Sequence, residues 1–570
     1  MDFLRRKLRK RSVSTPSQDD KQKSAECRNC DVVVIGSGLS GLTTAYRLAK
    51  LDVSVIVVEA SDYLGGRTRS IKLETGDVVS VGGTWCMFDD EDILGLAEEL
   101  RNELGKDECF PFTPSFEINA EGLQRLIHHP YLLLKLWLLG RKFSKDGKEY
   151  WKDSEAKKYD CLSLSQWLES QTGLLSNEES RLAVRDWFYL METEPLDLRQ
   201  MSTLFAAIMV YQRLSNITQT GLLIPKCMRW EGGTGAFIEF LLEALQRTGK
   251  VQMLIQTQVK TITQTSDQVI VETSGETITG RYAVVATSPL AASFLKYDPP
   301  LPMGAQRICE AIRPWDFPAL NILLVFKKSW RPGLIYLPSA DKETKDGISG
   351  IIMELYSRNV DRSLIRILTY PDAINGKSKE EIQRLSLEFL ASLYPEDREF
   401  LFENFVSLTT FNWADIKPFI PGVTYYYSPD GSLATYGKYL RKNHGRVYFA
   451  GSERSIRGLH WMSGAVIRGN EVAADILKEM GRIKSRTEYQ REISKKNLAG
   501  VDRIRSKNIL QILKNFFGKI FPWSSTSNLI RKQSYLPSRE ELSGRSISIS
   551  YRQHYLTQSE SKISKQVQKI

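Results

Sequence analysis

Short apolar runs closed by turn residues give this chain its pattern. Val32 to Ile35 is continuously apolar and runs straight into glycines, which predicts a strand buried on both faces. From Leu42 to Leu48 the apolar positions take helical spacing, and Val53 to Val58 returns to a strand-like run. Further along, Val251 to Ile255, Val259 to Ile262 and Gln268 to Thr273 predict short strands of a small meander, and Tyr282 to Thr287 a core strand returning to the first sheet. Helical periodicity covers 162–169, 178–191, 196–213 and 379–393, with strands expected at 319–326 and 364–370. No apolar run reaches eighteen residues, so no membrane-crossing helix is expected. The run Tyr131 to Leu139 is too short to span a bilayer and reads as a buried helix or cavity wall, with a surface-inserted helix as the alternative. His128-His129 before it has no third ligand spaced for a metal.

The first strand–helix junction is Gly36-Ser37-Gly38-Leu39-Ser40-Gly41. Between a strand and a helix, this GxGxxG pattern has a physical reason at each glycine. Gly36 permits the tight turn, Gly38 lets the backbone approach a pyrophosphate, and Gly41 lets helix and strand come close. The helix start offers unpaired N–H groups and a positive dipole end to phosphate. The second strand ends in Glu59, twenty-one residues after Gly38, the spacing at which a carboxylate meets ribose hydroxyls. Strand, helix, strand and terminal Glu together point to a bound dinucleotide.

Beyond Glu59, Leu64-Gly65-Gly66-Arg67-Thr68-Arg69 brings two more glycines and a guanidinium to the same phosphates. This stretch resembles the flavin-containing amine oxidase superfamily, which binds FAD and includes monoamine oxidases, polyamine oxidases and related histone demethylases. The likeness continues through Val81-Gly82-Gly83-Thr84-Trp85, Trp230-Glu231-Gly232-Gly233-Thr234-Gly235, Tyr297 to Pro302, Arg446 to Glu453 and Met462 to Val466. It implies an α/β fold, with a discontinuous Rossmann-like FAD domain (31–110, 228–297, 405–477) and an inserted mixed α+β substrate domain (111–227, 298–404). The cofactor set it implies is Gly36, Ser37, Gly38, Gly41, Glu59, Arg67, Gly82, Gly83, Thr84, Val259, Gly451, Ser452, Glu453, Met462 and Val466. The implied reaction is amine oxidation by hydride transfer to the flavin, imine hydrolysis and release of hydrogen peroxide, with molecular oxygen or another acceptor.

Three positions depart from the family. The cysteine that carries covalent flavin in monoamine oxidases falls on Val423, which implies non-covalent FAD. The aromatic pair flanking the amine falls on Thr424 and Trp461, so one aromatic face is lost; Tyr425 or Tyr426 is a candidate substitute. The family lysine near the flavin falls on Asn321 when counted back from Phe326. Asn321 hydrogen-bonds but carries no charge. Two alternatives therefore stay open: a flavin dehydrogenase or desaturase on a non-amine substrate, and a catalytically impaired flavin-binding protein associated with a membrane.

Charge refines the outline. Of the total +11, residues 1–30 hold +5 and 478–570 hold +13, so 31–477 is −7. A mildly acidic body with basic tails suits an anionic surface. Without a nucleic-acid motif, no nucleic-acid partner is expected and a membrane surface ranks first. About 507–521, Ile509, Ile512, Leu513, Phe516, Phe517 and Ile520 share one helical face flanked by lysines, the pattern of an interfacial helix or of one docked on the body. Seven cysteines, an odd number without a framework, suit an intracellular, reducing compartment. The family likeness makes the mitochondrial outer membrane one candidate site of peripheral attachment.

Overall fold

The computed structural model describes residues 27–495, apart from 88–89, 107–110, 113–116, 121–124, 127, 193–196, 221–226, 231, 315–319, 333, 338–347, 356–360, 417–424 and 494. At its centre is a five-stranded parallel sheet in the order Val251–Leu254, Val55–Val58, Val32–Ile35, Tyr282–Val285, Val447–Phe449. The inner strands Val55–Val58, Val32–Ile35 and Tyr282–Val285 are buried at every position, as expected of parallel strands covered on both faces. Helices Leu39–Ala49, Gly233–Arg247 and Met462–Glu479 share a core with one face. At Gly469 a Cβ would lie 2.7 Å from the Ser40 carbonyl oxygen, so that glycine lets the first and last of these helices approach backbone to backbone.

The other face carries a second sheet, in the order Cys27–Asn29, Thr277–Gly280, Val269–Thr273, Val259–Gln264, Lys296–Asp298. Its middle three strands form the meander. Val251–Leu254, expected to belong with them, instead adds to the parallel sheet beside Val55–Val58. The reason is local: Gln256 and Thr257 donate their N–H groups to the Ser61 and Glu59 carbonyls, so the chain turns out of one sheet before entering the other. Cys27–Asn29, at the end of the basic N-terminal segment, pair in parallel with Thr277–Gly280.

A six-stranded mixed sheet faces a largely helical layer. Its order is Phe405–Asn412, Leu320–Phe326, Ser363–Thr369, Ile351–Leu355, Leu334–Leu337, Glu117–Ala120. Leu320–Phe326 is buried throughout. Leu320, Ile322, Leu324 and Phe326 meet helix Lys379–Leu393, while Leu323 and Val325 face the opposite core with helices Tyr131–Ser144 and Thr203–Thr220. The helix expected from 196 begins only at Thr203, because the Asp197 carboxylate accepts from the Arg199 N–H and holds a turn there. Tyr131–Ser144 is a helix buried on one face only, with Leu134 and Leu138 exposed on the other. Among the described residues no helix is long and apolar enough to cross a membrane.

Candidate active site

Gly36 takes φ +100°, and its N–H donates to the Val58 carbonyl at 2.8 Å, closing the turn between the two central strands. A Cβ on Gly41 would overlap the Gly36 carbonyl oxygen, so that position tolerates no side chain. Gly38 is the opposite case. It caps the helix with φ −63°, and a Cβ there would meet nothing within 4 Å. The helix start therefore has free room beside its capping residue, and the first N–H groups of a helix have no partner within it. That is the cradle a pyrophosphate requires, and the residues fit the cofactor.

Glu59 joins the turn to the second strand. One carboxylate oxygen accepts from the Ser37 N–H at 2.9 Å and the Ser37 hydroxyl at 2.7 Å, the other from the Ser61 N–H and hydroxyl at 2.9 Å each. These fill a carboxylate's four acceptor positions. The Ser61 hydroxyl has one proton and a second acceptor, the Tyr63 carbonyl at 2.9 Å, so it can release Glu59 to another hydroxyl at little cost.

The remaining positions converge by contact. The Gly65 N–H donates to the Ser37 carbonyl at 3.0 Å, and a Cβ on Gly66 would touch the Gly38 Cα at 3.1 Å. Arg67 pairs with Glu453 at 2.5 Å and lies 5.4 Å over the Tyr425 ring. A Cβ on Gly82 would overlap the Arg67 carbonyl, and one on Gly83 would touch the Met462 sulfur at 3.2 Å. The Thr84 hydroxyl donates to the Gly82 carbonyl at 2.9 Å. Gly451, at φ +130°, donates its N–H to the Ser40 hydroxyl oxygen at 3.0 Å, and Ser452 donates to Glu453 at 3.1 Å. Val466 is buried among the sheet-covering helices, and Val259 shares a core with Ile35 and Val58.

Asn321 is fully buried on Leu320–Phe326, and its amide donates to the Phe411 carbonyl at 3.4 Å. Trp461 caps helix Met462–Glu479, and the Arg213 guanidinium lies 3.0 Å from its ring centroid. Thr424 and Val423 lie outside the described residues, as does the 507–521 amphipathic segment. Of the two tyrosines, Tyr425 faces Arg67 and donates to the Ser288 hydroxyl at 3.2 Å, while Tyr426 donates to Gln200 at 2.5 Å. Among the described residues no group of His, Cys, Asp and Glu is arranged to hold a metal.

The model for flavin-containing amine oxidoreductases matches residues 39–477. The chain belongs to that family. Flavin-containing amine oxidase B of Bos taurus is 27% identical over 483 residues, covering 80% of this chain and 87% of the relative. A flavin-containing amine oxidase of Oncorhynchus mykiss is also 27% identical, over 490 residues, 81% of this chain and 88% of its own. Among solved structures, wild-type putrescine oxidase bound to putrescine superposes with a TM-score of 0.64 at 23% identity, covering 80% of this chain and all of that one. Cyclohexylamine oxidase from Brevibacterium oxydans IH-35A gives 0.65 at 22% identity, covering 79% and 99%. The chain is thus a flavin-dependent oxidoreductase of the amine oxidase kind, and the fold is that of its relatives.

In this flavoenzyme, sequence spacing misses residues that only the fold brings together. His460 takes φ +67°, a left-handed conformation that favours glycine, yet carries an imidazole. Both ring nitrogens are shut off from solvent and without a hydrogen-bond partner among the described residues, and Phe205 meets the ring edge to face at 5.3 Å. Burial is the main cause that pushes its pKa down to about 4; Glu453 opposes this, and Arg67 and Arg213 add to it. With the folded pKa below the ordinary 6.5, the unfolded chain binds the proton first. Stability is therefore lost as pH falls from about 6.5 toward 4. From this one group the loss between pH 7 and pH 5 is about 2 kcal/mol. Asn tolerates the same backbone conformation, so the urea-unfolding free energy of His460→Asn should fall by about 2 kcal/mol less than wild type across that interval. Equal falls would show that His460 titrates normally.

Proposed function

We propose that this chain oxidises an amine with non-covalently held FAD, passing the electrons to oxygen and releasing hydrogen peroxide. The observation that carries the reading is the open helix start at Gly38, beside the Glu59 carboxylate and within a chain that matches the family over 39–477. When bound, FAD supplies the two-electron acceptor for the carbon–hydrogen bond next to the amine nitrogen.

The chain's own residues do the rest. Backbone N–H groups at 38–41, with Ser37 and Gly66 close by, hold the pyrophosphate, and Glu59 takes ribose hydroxyls in place of Ser61. Gly82, Gly83 and Thr84, locked by Arg67 and Met462, line the ring's approach, and Trp461 supplies an aromatic face. Val423 has no sulfur to bond a flavin, which supports a non-covalent cofactor. An amine gives up hydride only when neutral. The burial and the Arg67 and Arg213 charges that push the His460 pKa down would push that of an ammonium held beside it down as well, favouring the neutral amine.

The test is optical. The purified protein should be yellow and should release its flavin into the supernatant on acid precipitation; colour kept in the pellet would mean a covalent link. Without oxygen, at least one member of a panel of monoamines, polyamines and amino acids should bleach the visible band. Readmitted air should restore it with one hydrogen peroxide per amine. A flavin-loaded protein bleached by none of them would sink the reading.

A further inference from the structure

We propose that Arg366 and Arg229 form an anion site for the carboxylate of the substrate, so that the amine oxidised here is borne on a carboxylic acid. The amine rests on the function proposed above; the carboxylate rests on separate observations.

Arg366 stands at the middle of Ser363–Thr369, opposite Leu323 on one neighbouring strand and Met353 on the other. On that strand Leu364 and Leu368, two residues to either side, face the same core as Leu323 and Val325, and Asn321 pairs with Leu368. Arg366 is 4% exposed. Its hydrogen bonds go to neutral oxygens at long range, the Ser80 carbonyl at 3.4 Å and the Thr84 hydroxyl at 3.3 Å. Its Nε has no hydrogen-bond partner, and no carboxylate lies within ion-pair distance of it among the described residues.

Arg229 comes from a different sheet. It pairs across Cys227–Trp230 with Trp85, lies 4.9 Å over that ring and donates to the Glu354 carbonyl. It is 6% exposed. Burial is the larger cause that pushes both guanidinium pKa values down to about 10, so both remain charged at neutral pH. They repel: the nearness of Arg229 lowers Arg366 further, while Glu354 attracts only Arg229.

Two buried cations held against each other, with a carboxylate drawn to only one, cost the fold free energy that a bound anion would return. A planar guanidinium fork matches a carboxylate in two parallel bonds. The place is also suitable. Arg366 bonds Thr84, next to Gly82 and Gly83, and Gly83 abuts Met462, the residue after Trp461. A carboxylate seated there stands beside the segment proposed to meet the flavin. The other source of electron-rich oxygens is the flavin ring itself, and the experiment separates the two.

Flavin-loaded full-length protein is titrated with phenylacetate, phenylacetamide and 2-phenylethanol, reading the change in the visible flavin spectrum. Phenylacetate should bind at least tenfold more tightly than its two neutral analogues. Arg366→Gln should abolish that preference with the flavin-to-protein ratio unchanged, and Arg366→Lys, which keeps charge but not the fork, should fall between. Equal affinity for the three compounds in wild type overturns the proposal with no variant needed. So does loss of flavin in Arg366→Gln with the phenylacetate preference intact in the molecules still loaded, which would assign Arg366 to the cofactor. A carboxylate preference without bleaching by any amine would leave this site standing and remove the amine reading; bleaching without the preference would do the reverse.

Discussion

Arg67→Met should destabilise the protein by at least about 3 kcal/mol at pH 7, because it strands a buried carboxylate. The Glu453 side chain is wholly inaccessible to solvent, and its partner Arg67, 2.5 Å away, is 28% exposed. Burial alone would push the Glu453 carboxyl up. The Arg67 guanidinium, helped by His460, outweighs that and holds it below the ordinary carboxylate range. A depressed carboxyl pKa contributes stability above the unfolded value and loses it as pH falls through the folded one. Without Arg67, burial is largely unopposed and the sign reverses. The Glu453 carboxyl then binds its proton more readily folded than unfolded, and the variant loses stability as pH rises. The gap between wild type and Arg67→Met should therefore be widest near pH 7 and close toward pH 4 in urea unfolding. Adding Glu453→Gln should recover more than half of the loss, since two neutral groups replace one orphaned charge. A gap below 1 kcal/mol, or one independent of pH, would show that Glu453 does not depend on Arg67.

What the sequence made legible follows from how local each signal is. The turn Gly36–Gly41 and Glu59 were readable because a few neighbouring residues contain the whole device. The structure gives each glycine a distinct task, and Ser37 ties Glu59 to the turn while Ser61 holds its other oxygen. Helix Lys379–Leu393 was readable to the residue, since Ser378 accepts from the Glu381 N–H and caps it. Val251–Leu254 was misplaced because four residues of strand do not say which sheet will receive them; the neighbour Val55–Val58 lies two hundred residues away in the chain. The site shows the same limit more sharply. Arg213, Arg229 and Arg366 stand on three different elements and His460 in the turn before a fourth, and no spacing along the chain relates them. One hint was present: a histidine directly before Trp461, in a chain with only five. Asn321 was singled out by family likeness alone, and its buried company, with Arg366 on the neighbouring strand, belongs to the folded sheet.

Gly38→Ala and Gly41→Ala should fail in opposite ways, although both place one methyl group in the same turn. At Gly41 the methyl would overlap the Gly36 carbonyl oxygen and stand 3.0 Å from the Ala286 Cβ, with strand and helix backbones on either side. Alanine is the better helix former by about 1 kcal/mol, so propensity favours this substitution and any loss measures the collision. Overpacking typically costs about 1–3 kcal/mol, and a collision with backbone on both sides stands at the upper end, so the variant should melt early. At Gly38 the methyl would meet nothing, and φ −63° suits alanine, so stability without flavin should change by less than about 1 kcal/mol. The free room is nonetheless the room proposed for the pyrophosphate. A methyl standing in it keeps phosphate oxygens from the N–H groups at the helix start, and FAD affinity should fall about a hundredfold, equivalent to about 2.7 kcal/mol. Thermal unfolding of the flavin-free variants reads the first effect, and quenching of FAD fluorescence on reconstitution reads the second. If Gly38→Ala takes up FAD as tightly as wild type, the space above this residue is not where the diphosphate lies, and the cofactor must enter the fold elsewhere.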